Sequence, residues 1–184
     1  NGGKNLPNIY LIHGDLTNDE MNSLYNHPKV KAHVTFTKGE GFGRPLAEAS
    51  LSEKIIIAPN WSGQVDFLKH SIKLGGQLTN VHPSAVWQDV ILPESQWFTV
   101  HYIQGAEAFK YAYNKKNQKP MNLLAKRQAR FIKDNFAIKN MEEQLYKYID
   151  KYSSGIATQV ALKLPKLKKT QSTLKLPKLK KVES

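Results

Sequence analysis

Two carboxylates, Glu40 and Glu48, stand on either side of the alternating glycines in KGEGFGRPLAEAS, residues 38–50. A carboxylate accepts two hydrogen bonds at once, so it suits a vicinal diol such as a ribose. A second carboxylate nearby suits a second polyhydroxyl group. Glycines at 39, 41 and 43 let the backbone take positive φ angles and approach a ligand closely. The helix start that follows offers unpaired N–H groups and a positive dipole end, which favour a phosphate. One carboxylate would therefore hold the nucleoside end of a ligand and the other its sugar end, with a diphosphate on backbone N–H groups between them. The competing reading is a tight turn with no ligand. The run is neither the dinucleotide fingerprint, because Arg44 stands where the last glycine belongs, nor a P-loop, because no G-K-[ST] follows.

The surrounding pattern predicts the elements that place these residues. IYLIHG (residues 9–14) reads as a buried strand ending at a glycine. Thr17 and Glu20 have capping-box spacing and open a short helix with Met21, Leu24 and Tyr25 on its apolar face, ended by Asn26-His27-Pro28. AHVTFT (32–37) is the next strand, and Pro45 suits the first turn of a helix running to about Leu51. IIIAP (55–59) is a continuous apolar run, the mark of a strand buried on both faces. Trp61-Ser62-Gly63-Gln64 is a loop, residues 65–70 a short helix, and 72–74 and 78–81 short strands. Strand and helix alternate, which implies an α/β fold with a parallel sheet flanked by helices. After about residue 85 the pattern is helical, with candidates at 105–116, 121–135 and 139–152. Leu123, Leu124, Phe131 and Ile132 make one apolar stripe, and Ile138, Met141, Leu145, Tyr148 and Ile149 another.

Residues 35–50, TFTKGEGFGRPLAEAS, closely resemble the signature of retaining glycosyltransferases of the GT-B fold, the large family-4-like group: a glutamate, seven residues, then a second glutamate, with a G-F-G turn and a proline between. Residues 9–25 resemble that family's preceding strand, glycine and helix, and IIIAPNWSGQVDFL (55–68) its following strand and loop. In all, the resemblance spans residues 6–150. It implies a Rossmann-like domain, the C-terminal half of a GT-B fold, that binds a nucleotide-diphosphate-sugar donor and transfers the sugar with retention to an acceptor hydroxyl. Glu48 would then bind the ribose and Glu40, the one catalytic candidate, the donor hexose. The backbone of Gly41, Phe42 and Gly43 would face the sugar and diphosphate. Arg44 and Pro45 at the helix start, and Trp61, Ser62 and Gly63 after the next strand, would complete the donor site. The resemblance implies no cofactor, no bound metal and no protein nucleophile, the leaving diphosphate itself assisting the attacking hydroxyl.

The family's acceptor domain and its first strand–helix unit, which supplies a basic phosphate-binding pair, have no counterpart here. The chain therefore reads as the C-terminal part of a glycosyltransferase, inactive or very weak alone, its missing half a lost N-terminal domain or a partner chain. Opening at Asn1 without methionine fits a fragment.

The chain has 184 residues, enough for one domain with a sizeable core, and no cysteine, which removes disulfides and thiolate chemistry. No apolar run is long enough to span a membrane, and a cytoplasmic location, peripheral at a membrane, is the expectation. The six histidines, His13 among them at the end of the first strand, show no metal-ligand spacing. Of the +12 net charge, residues 151–184 carry +8, from nine lysines and one glutamate. The body, 1–152, is only mildly basic and lacks an aromatic-plus-arginine surface pattern, which argues against a nucleic-acid partner. The basic tail, 153–184, repeats LKLPKLKK identically at 162–169 and 174–181. A proline inside each copy argues against a continuous helix. Such a tail would add strands to an exposed sheet edge in a homodimer, or tether the chain to an anionic membrane. The second reading of the whole chain follows: a non-catalytic Rossmann-like interaction module whose tail binds a membrane or partner chain.

Overall fold

The computed structural model describes residues 7–153, so both LKLPKLKK copies lie outside the described residues. The first helix, α1 (Asn18–Asn26), begins at Thr17, whose hydroxyl accepts from the Glu20 N–H while the Glu20 carboxylate accepts from the Thr17 N–H at 2.8 Å. The capping box expected from the sequence is thus present. Then follow β1 (Ala32–Val34), α2 (Arg44–Ser50), β2 (Ile55–Pro59), a single 3-10 turn (Gly63–Asp66) and β3 (Ile72–Leu74). The strands form a three-stranded parallel sheet in the order β1-β2-β3. The expected α/β fold, a parallel sheet flanked by helices, is therefore found.

Strand β2 is buried at every residue, and its side chains alternate between two cores as a strand's period of two requires. Ile56 and Ala58 pack with Leu46 and Ala49 of α2 and with Phe67, Leu68 and Ile132. Ile57 faces the other way, onto Leu74, Phe98, Val100 and Ala108. The second core is closed by an antiparallel pair, β4 (Gly76–Asn80) with β5 (Gln96–Val100), and by α3 (Tyr102–Tyr113). The first is closed by α4 (Gln118–Phe136), from which Ile132 reaches the cluster. Helix α5 (Ile138–Ser153) follows. The chain groups into two compact units, Asn1–Tyr146 and Lys147–Ser184, and the sheet and both cores belong to the first.

Several expectations are corrected. Residues 9–14 form no strand; they are extended and open to solvent, with Ile9 at 92% and Leu11 at 89% exposure. An apolar run becomes a strand only when a neighbour takes its N–H and C=O groups, and none does among the described residues. The region after 85 is not wholly helical, because QWFTV forms β5 with Phe98 and Val100 inward. That strand is too short, and its alternation too brief, to stand out from the aromatic residues around it. The helix expected at 65–70 is only the 3-10 turn begun at Gly63. On α4 the buried line is Met121, Ala125, Gln128, Ala129 and Ile132, whereas Leu123 is exposed. Small alanines let that helix approach the sheet closely; of the expected stripe, Ile132 and Phe131 do reach the first core, and Leu123 does not. The stripe on α5 is entirely exposed. Among the described residues no helix is long and apolar enough to cross a membrane.

Because Ile57 is completely buried at the centre of the second core, truncating it leaves a cavity that the rigid strand cannot collapse. Ile57→Ala should lower unfolding free energy by about 2–5 kcal/mol in urea titration, whereas Leu123→Ala should change it little.

Candidate functional site

The loops after β1 and β2 leave the carboxyl edge of the parallel sheet, where ligands of open α/β sheets bind. One hydroxyl joins them. Ser62 Oγ donates to the Glu40 carbonyl at 2.6 Å and accepts from the Glu40 N–H at 3.0 Å. The Gly63 N–H donates to the same carbonyl at 3.0 Å. Ser62 holds a positive φ of 68°, a conformation few side chains adopt and one that surrounding bonds must maintain. Gly63 lies so close to the glycine run that a Cβ there would collide with the Gly41 carbonyl. The run is therefore not a loose loop but a turn pinned to its neighbour.

Gly43 ends it as the N-cap of α2, at φ 91°, where glycine is the natural residue. Its carbonyl accepts from the Leu46 and Ala47 N–H groups, and Pro45 sits in the first turn as expected. The Phe42 ring, partly exposed, lies 4.8 Å from the Phe67 ring and 5.8 Å from Phe136. On the other side Lys38 ties the turn to the β4–β5 hairpin: its carbonyl accepts from the Phe98 N–H, and its Nζ donates to Thr99 Oγ1 at 3.2 Å. Trp61 stacks flat on Phe98, with centroids 5.3 Å apart and planes 3° from parallel.

A cleft of about 650 Å³ opens between α1 and α2, lined by Asn18, Asn22 and Tyr25 from the first and Arg44, Pro45 and Glu48 from the second. Arg44 Nε meets Glu48 Oε1 at 3.1 Å. Both side chains are well exposed, so the pair contributes little in water and yields readily to a ligand. Burial and the Glu48 carboxylate raise the pKa of Tyr25 above its ordinary value, against the opposing pull of Arg44. Behind Tyr25, the His33 ring meets it edge-on at 5.0 Å and places Nε2 3.2 Å from Ser52 Oγ. Burial lowers the His33 pKa, helped by Lys54 and opposed by a hydrogen bond with the Tyr25 backbone.

The structure thus brings Glu40 and Gly41 against Ser62 and Gly63, with Gly43 against Gln64 and Phe67, and it places Arg44, Pro45 and Glu48 in one cleft. Glu40 does not line that cleft. His13 lies in the extended, exposed stretch before α1, and Asp66 is exposed in the 3-10 turn. Sequence reasoning missed Asn18, Asn22 and Tyr25 as lining residues. The Thr17–Glu20 capping box fixes where α1 begins, but no local signal gives the face it turns toward α2. Among the described residues no group of His, Asp and Glu side chains is arranged to hold a metal ion. Comparison with models of known protein families and with curated proteins finds no match.

Two checks follow from this geometry. Gly63→Ala should displace the pinned turn, moving the Glu40 and Gly41 amide resonances and lowering the melting temperature. Gly41→Ala, where a Cβ meets nothing within 4 Å, should leave the Ser62 and Gly63 amide resonances and the melting temperature nearly unchanged. His33, lowered from its ordinary 6.5, contributes full stability above that value, and the contribution is lost as pH falls from it toward the folded-state value. Urea titrations between about pH 8 and about pH 5 should show a smaller decline in His33→Gln than in the wild type.

Proposed function

We propose that the chain is the donor-binding domain of a retaining glycosyltransferase of the GT-B type and holds a nucleotide-diphosphate sugar at the carboxyl edge of its sheet. The parallel sheet with helices on both faces is compatible with a Rossmann-like domain of that kind. The observation that carries the reading is the pinned turn. Ser62 and Gly63 hold Glu40 and Gly41 in place where the chain enters α2, so the backbone is preorganised before any ligand arrives, and binding need not supply that ordering. The cleft beside it has the size of a ligand site, and Glu48 borders it.

In this reading the ribose diol binds Glu48, displacing Arg44 from one carboxylate oxygen, and Arg44 is then free to face the diphosphate. The donor hexose lies against Glu40 and the Gly41–Gly43 backbone. The bond from the anomeric carbon to the diphosphate breaks as the acceptor hydroxyl attacks from the same face, and the hydroxyl proton passes to the departing phosphate oxygen. No carboxylate need act as nucleophile, and Glu40 contributes by holding the sugar as positive charge develops on its ring. The acceptor side would come from a further domain or a partner chain. A non-catalytic interaction module remains the second reading, favoured by the unburied apolar stripe of α5.

Titration of the protein with UDP, GDP and ADP and their sugars, followed by amide NMR, tests the first reading. Shifts should cluster at Gly41–Glu48 and at Tyr25, and one base should be preferred. Glu48→Ala should weaken binding at least tenfold while leaving thermal stability unchanged, since the side chain is about half exposed. An absence of shifts at millimolar ligand would overturn the donor site and leave the interaction module.

A further inference from the structure

The four residues Ile9, Tyr10, Leu11 and Ile12 are 64–92% exposed. Ile9, Tyr10 and Ile12 are good strand formers, and a contiguous apolar run of this kind standing in water calls for a covering surface. The same unit of the chain offers one. Among the described residues, strand β1 pairs with β2 on one side only and ends the sheet on the other. Beside its start lies a groove of about 890 Å³, mostly apolar, lined by Pro7, Lys31, Phe109, Ala112 and Tyr113. Lys31 directly precedes β1, and Ala32 and Ala112 pack against the same core. A strand laid along β1 would therefore find backbone partners on one flank and the apolar face of α3 beneath it.

The chain's connectivity says which strand fits. The step from β1 through α2 to β2 crosses the face of the sheet that also receives Tyr25 of α1. Crossovers between parallel strands are right-handed. Running the same step backwards from β1 through α1 sets residues 9–12 on the outer side of β1, parallel to it. Yet here the segment stands off its own groove: Pro7 lines it, and Ile9–Ile12 do not. Among the described residues, each chain thus displays both an open seat and a strand that fits it. A second copy satisfies both at once, reciprocally, as in a two-fold exchange of an identical element.

We propose that two copies of this chain pair by exchanging residues 9–12, each segment adding as a fourth parallel strand to the edge of the other's β1. The exchange buries both apolar runs and closes both open edges, which native sheets otherwise protect by other means. It uses surfaces away from the α1–α2 cleft, so it stands or falls independently of nucleotide binding.

Light scattering or sedimentation equilibrium on the full chain decides it. The wild type should have the mass of two chains at micromolar concentration. Leu11→Asp, on the segment, and Tyr113→Glu, on the groove, should each have the mass of one. Both residues are about nine-tenths exposed, so neither change disturbs the fold, which circular dichroism would verify. A single-chain wild type, or a dimer that survives both substitutions, overturns the proposal. Because the chain has no cysteine, a Leu11→Cys, Val34→Cys double variant adds a clean second readout. Oxidation should link two chains, and a bond formed within one chain would mean that the segment closes on its own edge, which also overturns the exchange.

Discussion

Ile56 and Ala58 look one way from β2 and Ile57 the other, and both cores of the first unit are built around that alternation. A strand with no polar face cannot sit at a surface, so something must cover each side of it. On one side α2 and α4 do so; on the other, α3 and the inward residues of β5. The loops that leave the sheet's carboxyl edge start from β1 and β2, so their positions are inherited from this double burial. Full burial of each isoleucine contributes about 1.5–3 kcal/mol, which makes β2 the most heavily anchored segment of the site's scaffold.

The scaffold is rigid where the glycine run is not. Three glycines in five residues carry a large entropic cost of ordering, and the chain offsets it with a single side chain. Ser62 Oγ both gives and takes a hydrogen bond with the Glu40 peptide group, replacing the ladder that a strand would have supplied. The constraint is mutual: Ser62 keeps its unusual φ because the glutamate peptide holds it. On the far side Lys38 ties the turn to β5 and Trp61 lies flat on Phe98, so both flanks of the turn rest on the hairpin. Trp61 is therefore a fixed plane at the rim of the site rather than a swinging side chain.

Much of this was legible in the residues. The capping box of α1, the extent of β2 and the start of α2 at Pro45 are local signals, each set within a few residues. What the sequence did not reveal depends on distant partners. Residues 9–14 have every local mark of a strand but no neighbour in the sheet. Strand β5 exists because β4 lies 16–24 residues upstream to receive it. Helix α4 turns its alanines inward because the sheet leaves little room there, a fact of packing density that hydrophobic periodicity does not carry. At the site, the glycine turn and Glu48 were conspicuous. Ser62 was legible as a site residue, but not as the hydroxyl that pins the turn, since a serine three residues past a strand has no pattern that gives its partner. Nor was it legible that Glu40 would be held beside Ser62 while Glu48 lies in a cleft shared with α1.

Gln128, buried on α4, donates from Nε2 to the Phe67 carbonyl at 2.8 Å and accepts from the His70 N–H at 2.8 Å, partners 61 and 58 residues earlier in the chain. During synthesis those groups, and the face of β2 beside them, leave the ribosome long before the helix that completes them. Chains emerge at about 5–20 residues per second, so the all-apolar strand spends several seconds without α4 on one face, and without α3 and β5 on the other, on every nascent copy. In that interval residues 55–58 present an isoleucine-rich segment of the kind a chaperone grips, and the arrival of α4 withdraws it.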